Sequence, residues 1–340
     1  MGIFSRPSTN PSRSGYRWPR IAATVALATG VAGAGLTSPA AAITVDPPIV
    51  VVHHGPGIDV NGNGTDDIFW YGPGTAPDSI WLTSHTRGHF RAVAAQVDDD
   101  LVPIGGDFDG DGYGDIFWYG PGAAPDSINF ATGDGGFDPF PVTVSGDYEP
   151  LVGDFDGDGV DDVFWYGPGV ARDSIWEFSR TKGDRRVRPA RIDGKYSAFT
   201  GDFDGNNSDD VFWYGPGDAR DSIHYSTPTG FRPTRTKVSG DYVPVTGDFD
   251  GNGTVDIFWY APGTAPDSMW RSSRTFGQFV VRPQAVGGTF RPIAGDFDGD
   301  GYGDIFWYAP GTAPDSVHYS TGDGFSPVAT TVNGYYEPVT

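Results

Sequence analysis

The chain of 340 residues carries 44 acidic against 22 basic side chains, a formal net charge of -22, and no cysteine. That balance argues against nucleic acid as a partner, since a phosphate backbone is gripped by positive surface. Without thiols, disulfides and thiolate metal sites are excluded, and a chain of this length is left with apolar burial and hard cations to hold it together.

Residues 1–42 contain four arginines and no acid, then an apolar run from Ile21 to Leu36, then "SPAAA" ending at Ala42. This is the pattern of a secretory signal with an A-x-A cleavage site, so the chain is expected to be exported and to act outside the cell, with a mature start near Ile43. The run is short and rich in Gly and Ala, which makes a membrane span the lesser reading; no span is expected after cleavage. No twin-arginine pair is present, which favours the general secretory route. Losing four positive charges and no negative ones takes the net charge from -22 to -26. Residues 43–58, "ITVDPPIVVVHHGPGI", form a short N-terminal segment that is a candidate ring-closing strand, sharing or competing for the edge described below.

From residue 59 to 340 one unit recurs six times. Its first aspartates are Asp59, Asp107, Asp154, Asp202, Asp248 and Asp296, separated by 48, 47, 48, 46 and 48 residues. A fixed period of this length decides the architecture before any local reading does. In the third copy four strands are expected, near 149 to 155, 162 to 167, 173 to 179 and 187 to 193. They are rich in β-branched and aromatic residues and bounded by Gly, Pro, Asp and Asn. Four strands per repeat is a propeller blade, so the expected fold is an all-β propeller of four-stranded antiparallel blades. The aromatic run "DVFWY" or "DIFWY" then packs one blade on the next.

A second period lies inside the first. After "DSI" or its variant, odd copies carry Trp81, Trp176 and Trp270, whereas even copies carry Asn129, His224 and His318. The linkers alternate as well, so the unit of duplication is read as a pair of blades present three times. The C-terminal "VNGYYEPVT" is an even-type linker and the first copy is odd, which suits it to close a ring of six against blade 1. The alternative is seven blades, the seventh assembled from both termini.

The loop "GDFDGDGVDD" crowds five aspartates into ten residues. Counted from Asp154 as position 1, oxygen side chains fall at positions 1, 3, 5 and 9, with glycine at 4 and 6 and a backbone carbonyl available at 7. Several hard oxygens converging in a tight loop suit Ca2+ better than the strict octahedron of Mg2+. The ligand sets are Asp59, Asn61, Asn63 and Asp67; Asp107, Asp109, Asp111 and Asp115; Asp154, Asp156, Asp158 and Asp162. They continue as Asp202, Asp204, Asn206 and Asp210; Asp248, Asp250, Asn252 and Asp256; Asp296, Asp298, Asp300 and Asp304. Up to six calcium ions are expected, one per repeat, with the first loop weakest because it has two carboxylates. Asn207 replaces glycine at position 6 of the fourth loop, and Asn tolerates the left-handed backbone needed there. The loop is not an EF-hand, since Trp165 stands where that motif needs a bidentate Glu. The plain alternative is an Asp/Asn/Gly turn without metal. Asp161, at position 8, is expected to be a solvated turn residue.

"GDFDGDG" followed by "DIFWYGPG" or "DIFWYAPG" resembles the FG-GAP repeat of integrin alpha-subunit propellers and the related VCBS repeats of secreted bacterial proteins. The resemblance covers residues 59 to 340 and implies calcium in the turn between the first two strands of each blade. Integrin propellers have seven such repeats, so blade number does not transfer. Fold transfers further than function, because these families range over adhesion, sugar binding and accessory modules of enzymes.

The recurrent Asp78, Asp126, Asp173, Asp221, Asp267 and Asp315 of the Asp-Ser pair are explained by an Asx-type turn. The histidines stand in no nucleophile, zincin or phosphate-loop motif, and no carboxylate pair differs from its siblings, so no catalytic residue is assigned. Trp81, Trp176 and Trp270 are candidates for stacking on sugar rings, with outer-strand packing as the plainer reading. Arg180, Lys182, Arg185, Arg186, Arg188 and Arg191 form either a solvated face or a patch for acidic polysaccharide. The function expected is a monomeric, non-catalytic binding or adhesion module for a glycan or cell-surface protein; the alternatives are a calcium-dependent polysaccharide lyase and a structural scaffold.

Overall fold

The computed structural model describes residues 57–340 apart from 75, 98, 99, 123, 170, 171 and 216–219. The expected signal at 1–42 and residues 43–56 of the N-terminal segment therefore lie outside the described residues. Within them the chain forms six four-stranded antiparallel sheets, each one blade of a propeller, and no helix long and apolar enough to cross a membrane.

Blade 3 shows how the sequence builds the unit. An inner strand, Glu149–Gly153, pairs with Asp162–Tyr166, which pairs with Asp173–Phe178, which pairs with the outer strand Arg185–Ala190. The second strand is buried along its whole length because both faces meet a neighbouring blade. Val163 and Trp165 face blade 2, and Phe164 and Tyr166 face blade 4. A sheet covered on both faces loses the polar-apolar alternation of a one-sided strand, which is why "DVFWY" reads as continuous apolar sequence. The outer strand has only one covered face, and its pattern alternates accordingly.

Six apolar clusters result, one per blade junction. In the junction of blades 2 and 3 the rings of Tyr119 and Trp165 meet edge to face at 5.0 Å, an arrangement favoured by the ring quadrupoles. The tyrosine hydroxyls do a second job. That of Tyr166 donates to the carbonyl of Gly194 at 2.9 Å and accepts the N–H of Tyr196 at 3.1 Å, fixing the linker that leads to the next blade.

The ring closes as a six-blade propeller, not seven. Glu337–Val339 pairs with Ile68–Tyr71 in the register Tyr71↔Glu337, Trp70↔Pro338 and Phe69↔Val339. Ile58 bridges Asp67 in the next part of the same edge. The inner strand of blade 1 is thus a composite, with its first part from one end of the chain and its last residue from the other. An atom added at Gly105 of blade 2 would meet Ile58 and the Thr340 carbonyl at 2.8 and 2.9 Å, which shows how closely the two ends share that edge.

Candidate functional site

The acidic loops join the inner and second strands of each blade. Position 1 folds its carboxylate back over the loop: Asp154 accepts the N–H groups of Gly157, Asp158 and Gly159 at 2.7–3.1 Å. Position 5 caps position 7, as Asp158 does for Val160 at 2.9 Å. Position 9 is buried and spans two strands; Asp162 accepts from Phe155 N–H and Phe178 N–H. Burial pushes these last carboxyls far up, to about 9 for Asp162 and Asp210 and about 8 for Asp115, Asp256 and Asp304. Asn207 holds φ +61°, the left-handed conformation expected of it.

Position 3 behaves differently. Asp204, Asp250 and Asp298 each keep a buried carboxylate oxygen with no hydrogen-bond donor. An unpaired buried anionic oxygen is costly unless a cation stands beside it. The first cations to reach these carboxylates are side chains: Lys182 lies 3.2 Å from Asp109, Arg87 pairs with Asp298 and Asp300, and Arg271 lies 3.9 Å from Asp250. In loops two to five, carboxylate oxygens of positions 1, 3 and 9 come within 4.8 Å of one another; in loop six those of Asp296, Asp298 and Asp300 do so. This donor set, carboxylates with carbonyls and no sulfur or imidazole, fits Ca2+ chemistry. The first loop differs at position 3, where Asn61 donates to Asp67 at 2.9 Å; its Asn63 is held by Thr83 and Thr65 just as Asn252 is by Ser272 and Thr254 in loop five. The polar atoms of loop one satisfy one another.

Position 8 corrects the sequence reading. Asp161 is buried, not solvated. Its N–H donates to the Asp107 carbonyl of the preceding blade at 2.9 Å, and its carboxylate accepts the Asp107 N–H at 2.7 Å. The same main-chain bond, 2.7–2.9 Å from position 8 to position 1, recurs at all six junctions, between residues 66 and 296, 114 and 59, 161 and 107, 209 and 154, 255 and 202, and 303 and 248. Burial raises the Asp161 carboxyl well above its ordinary value, and lifts Asp66 and Asp209 at the same position to about 7. Sequence alone could not show this, because the partner lies one whole repeat away.

Above the loops, odd copies send an arm across each pair. Arg180 donates to the carbonyls of Gly110 in loop two and Asp158 in loop three, at 2.7 and 3.2 Å. His85 stands between the carbonyls of Asp298 in loop six and Asn63 in loop one. At junctions 1–2 and 5–6 an aromatic ring takes over, a Cβ on Gly62 falling 2.4 Å from Tyr113 and one on Gly251 2.5 Å from Tyr302, whereas at junction 3–4 Gly157 faces Ser208.

The Asp-Ser aspartates prove structural. Asp173 accepts the N–H of Gly167 at 2.8 Å with one oxygen and that of Ile192 with the other at 2.5 Å, stitching the turn before the third strand to the end of the fourth. The five siblings make the same pair of bonds.

The expected sugar platforms sit in junctions. Trp176 is buried in the junction of blades 2 and 3, with the Arg185 guanidinium 3.9 Å over its ring; Trp81 and Trp270 are half-buried in the matching junctions 6–1 and 4–5. The basic cluster of copy three is largely engaged. Lys182 and Arg180 serve the loops, Arg186 and Arg188 flank Glu177 at 3.1 and 2.8 Å, and Arg191 pairs with Asp193 at 3.0 Å.

A cavity that the sequence did not point to opens between blades 3 and 4, with a volume of about 280 Å3. One wall is Phe164, Ile175 and Arg188 of blade 3; the other is Trp213, His224 and Phe231 of blade 4. The Trp213 indole N–H is buried and has no acceptor. Burial lowers His224 to about 4, so its imidazole is neutral and can donate at one nitrogen and accept at the other. Apolar walls with a few converging polar groups are the usual character of a small-molecule site, and this volume suits one sugar ring.

No family model and no curated protein matches this chain. Among solved structures it is similar to an Agrocybe aegerita lectin described as recognising non-reducing terminal N-acetylglucosamine, with 20% identity, a TM-score of 0.54, and coverage of 81% of this chain and 79% of that one. It also matches a triple arginine-to-alanine mutant of AofleA from Arthrobotrys oligospora, with 10% identity, a TM-score of 0.49, and coverage of 84% and 91%. The first likeness shows a shared fold.

Proposed function

We propose that this protein is a secreted, non-catalytic carbohydrate-binding propeller of the FG-GAP/VCBS type, stabilised by calcium, which takes a terminal sugar between blades 3 and 4. The observation that carries the reading is the cavity itself: an aromatic wall of Phe164, Trp213 and Phe231, the neutral imidazole of His224 and the Arg188 guanidinium. A pyranose ring supplies both an apolar face for the rings and hydroxyl acceptors for the Trp213 N–H. The fold it shares with a lectin described as binding N-acetylglucosamine supports that choice of first probe. Asp109, Asp156, Asp204, Asp250 and Asp298 at position 3 would hold calcium with the carboxylates at positions 1 and 9 and the Asp or Asn oxygen at position 5, and a bound ion would relieve the unpaired oxygens.

A glycan array containing N-acetylglucosamine-terminated structures, run beside a turnover assay on the same polysaccharides, tests the reading. Binding without product release is expected. Release of unsaturated or hydrolysed products would overturn the non-catalytic assignment, and no bound glycan would overturn the sugar. Trp213→Phe keeps an aromatic face but removes the N–H and part of the indole, and should weaken binding by at least the roughly twofold to tenfold that one neutral hydrogen bond is worth.

A further inference from the structure

The alternating sequence brings related residues to every second junction, the one between blades 3 and 4 among them. The residue three positions after each Asp of the Asp-Ser pair faces the preceding blade. In odd blades it is Trp, and its indole packs edge to face on the second-strand tryptophan: Trp81 on Trp70 at 5.4 Å, Trp176 on Trp165 at 5.3 Å, Trp270 on Trp259 at 5.5 Å. In blades 4 and 6 it is His, a much smaller ring. His224 stands 5.9 Å from Trp213 at 65° and 6.5 Å from Phe231 at 47°; His318 stands 5.8 Å from Trp307 at 66° and 6.4 Å from Phe325 at 46°. The two junctions share the aromatic and imidazole positions, Phe164, Trp213, His224 and Phe231 matching Phe258, Trp307, His318 and Phe325, while Met269 stands in place of Ile175. Arg188 pairs across the strands with Ile175, and Arg282 pairs with Met269, so both blades carry an arginine at the same register; Arg188 is half-buried beside Glu177, whereas Arg282 is exposed. The indole N–H groups of Trp213 and Trp307 are buried without an acceptor, but so are those of Trp70, Trp165 and Trp259, so it is the smaller ring beside them and not the N–H that sets these two junctions apart.

We infer that this position is a gate: Trp closes junctions 6–1, 2–3 and 4–5, and His opens junctions 3–4 and 5–6 as two equivalent sugar sites. The inference rests on the sugar-binding reading for its ligand, but the gate itself is a property of packing. Junction 1–2 is a third, poorer version, with Asn129 at the gate and Val93 where the arginine stands. Specificity is then set by the odd blade's arginine and the even blade's His and Trp together. Two sites on one rigid ring raise avidity for a branched or clustered glycan above that of either site alone.

Selective 15N labelling of the tryptophans separates the gate from the sugar. In the ligand-free protein the indole protons of Trp213 and Trp307 should exchange with water about tenfold faster than those of Trp70, Trp165 and Trp259, because less must open to admit water. Trp176→His should move Trp165 into the fast class, and His224→Trp should move Trp213 out of it. Trp270→His repeats the first test at junction 4–5, and the remaining indole resonances report that each variant stays folded. Equal exchange in all five, or no change in either variant, overturns the gate. Titration with N-acetylglucosamine should then shift Trp213 and Trp307, spare the other three, and lose one of the two sites in His224→Trp. Equal shifts at Trp165 and Trp213 overturn the inference. Exchange classes as expected, with no indole shifted by any glycan, uphold the gate and reject the sugar reading alone.

Discussion

Removing Glu337–Thr340 takes away the greater part of blade 1's inner strand. Val339 is 5% exposed and packs in the junction of blades 1 and 2 with Phe69 and Ile116. Burying a valine side chain stabilises by about 2 kcal/mol. The three-residue register with Ile68–Tyr71 adds about two ladder hydrogen bonds at roughly 1 kcal/mol each. The deletion should therefore cost about 4 kcal/mol, which lowers the Tm by roughly 8–16 °C. Val339→Ala isolates the side chain and should cost about 1.6 kcal/mol, two methylene equivalents. Calorimetric melts of the three proteins at one pH and calcium concentration check this. A truncated chain that melts with the parent would refute the closure, and would mean that residues upstream of Ile58 take the same edge. A truncation no worse than Val339→Ala would refute the contribution of the strand pairing.

Three further outcomes follow from the same geometry. Asp173→Ala leaves the N–H groups of Gly167 and Ile192 without their shared acceptor, and should destabilise by about 2–4 kcal/mol in urea unfolding, while Asp173→Asn recovers part of that. Burial lifts the Glu149 carboxyl to about 7, above its unfolded value, so the stability it lends is complete below that unfolded value and lost as pH rises through 7; Glu149→Gln should raise the Tm at pH 8 and leave it nearly unchanged at pH 4.5. Chelation should lower the Tm sharply, since each ion held at about 100 times its Kd by the folded state alone is worth about 2.7 kcal/mol. Asn substitutions at Asp204, Asp250 and Asp298 together should shrink that chelator effect; an unchanged melt in excess chelator would dismiss the metal.

The blades, their strands and the closing role of the C-terminus were legible because each depends on a pattern that repeats locally. "DIFWY" must be buried on both faces wherever it occurs, and the odd-even alternation told which linker fits blade 1. Asp161 was misjudged because its partner, Asp107, belongs to the previous repeat, and a hydrophilic residue in an acidic loop looks solvated until that backbone is placed beside it. The cavity was hidden for a similar reason. The alternation of Trp176 with His224 was visible, but a space is made by what two blades leave unfilled, and Ile175 and Arg188 carry no mark in the sequence of what lies opposite. The basic run at 180–191 was legible as charge and not as pairing, because Glu177 neutralises it from the neighbouring strand and Asp109 from the loop of the preceding blade.

The composite inner strand of blade 1 also orders events in time. Phe69 finds Val339 only 270 positions along the chain, the most distant strand pairing among the described residues. Blades 2 to 6 complete themselves from neighbouring sequence as it emerges, whereas the first blade stays an unfinished three-stranded arc with an open edge until the final few residues arrive. Joining ends so far apart carries the largest loop-closure entropy in the molecule. Annealing of that seam is therefore expected to be the slow phase of refolding, and the same seam is where a stressed ring would first part.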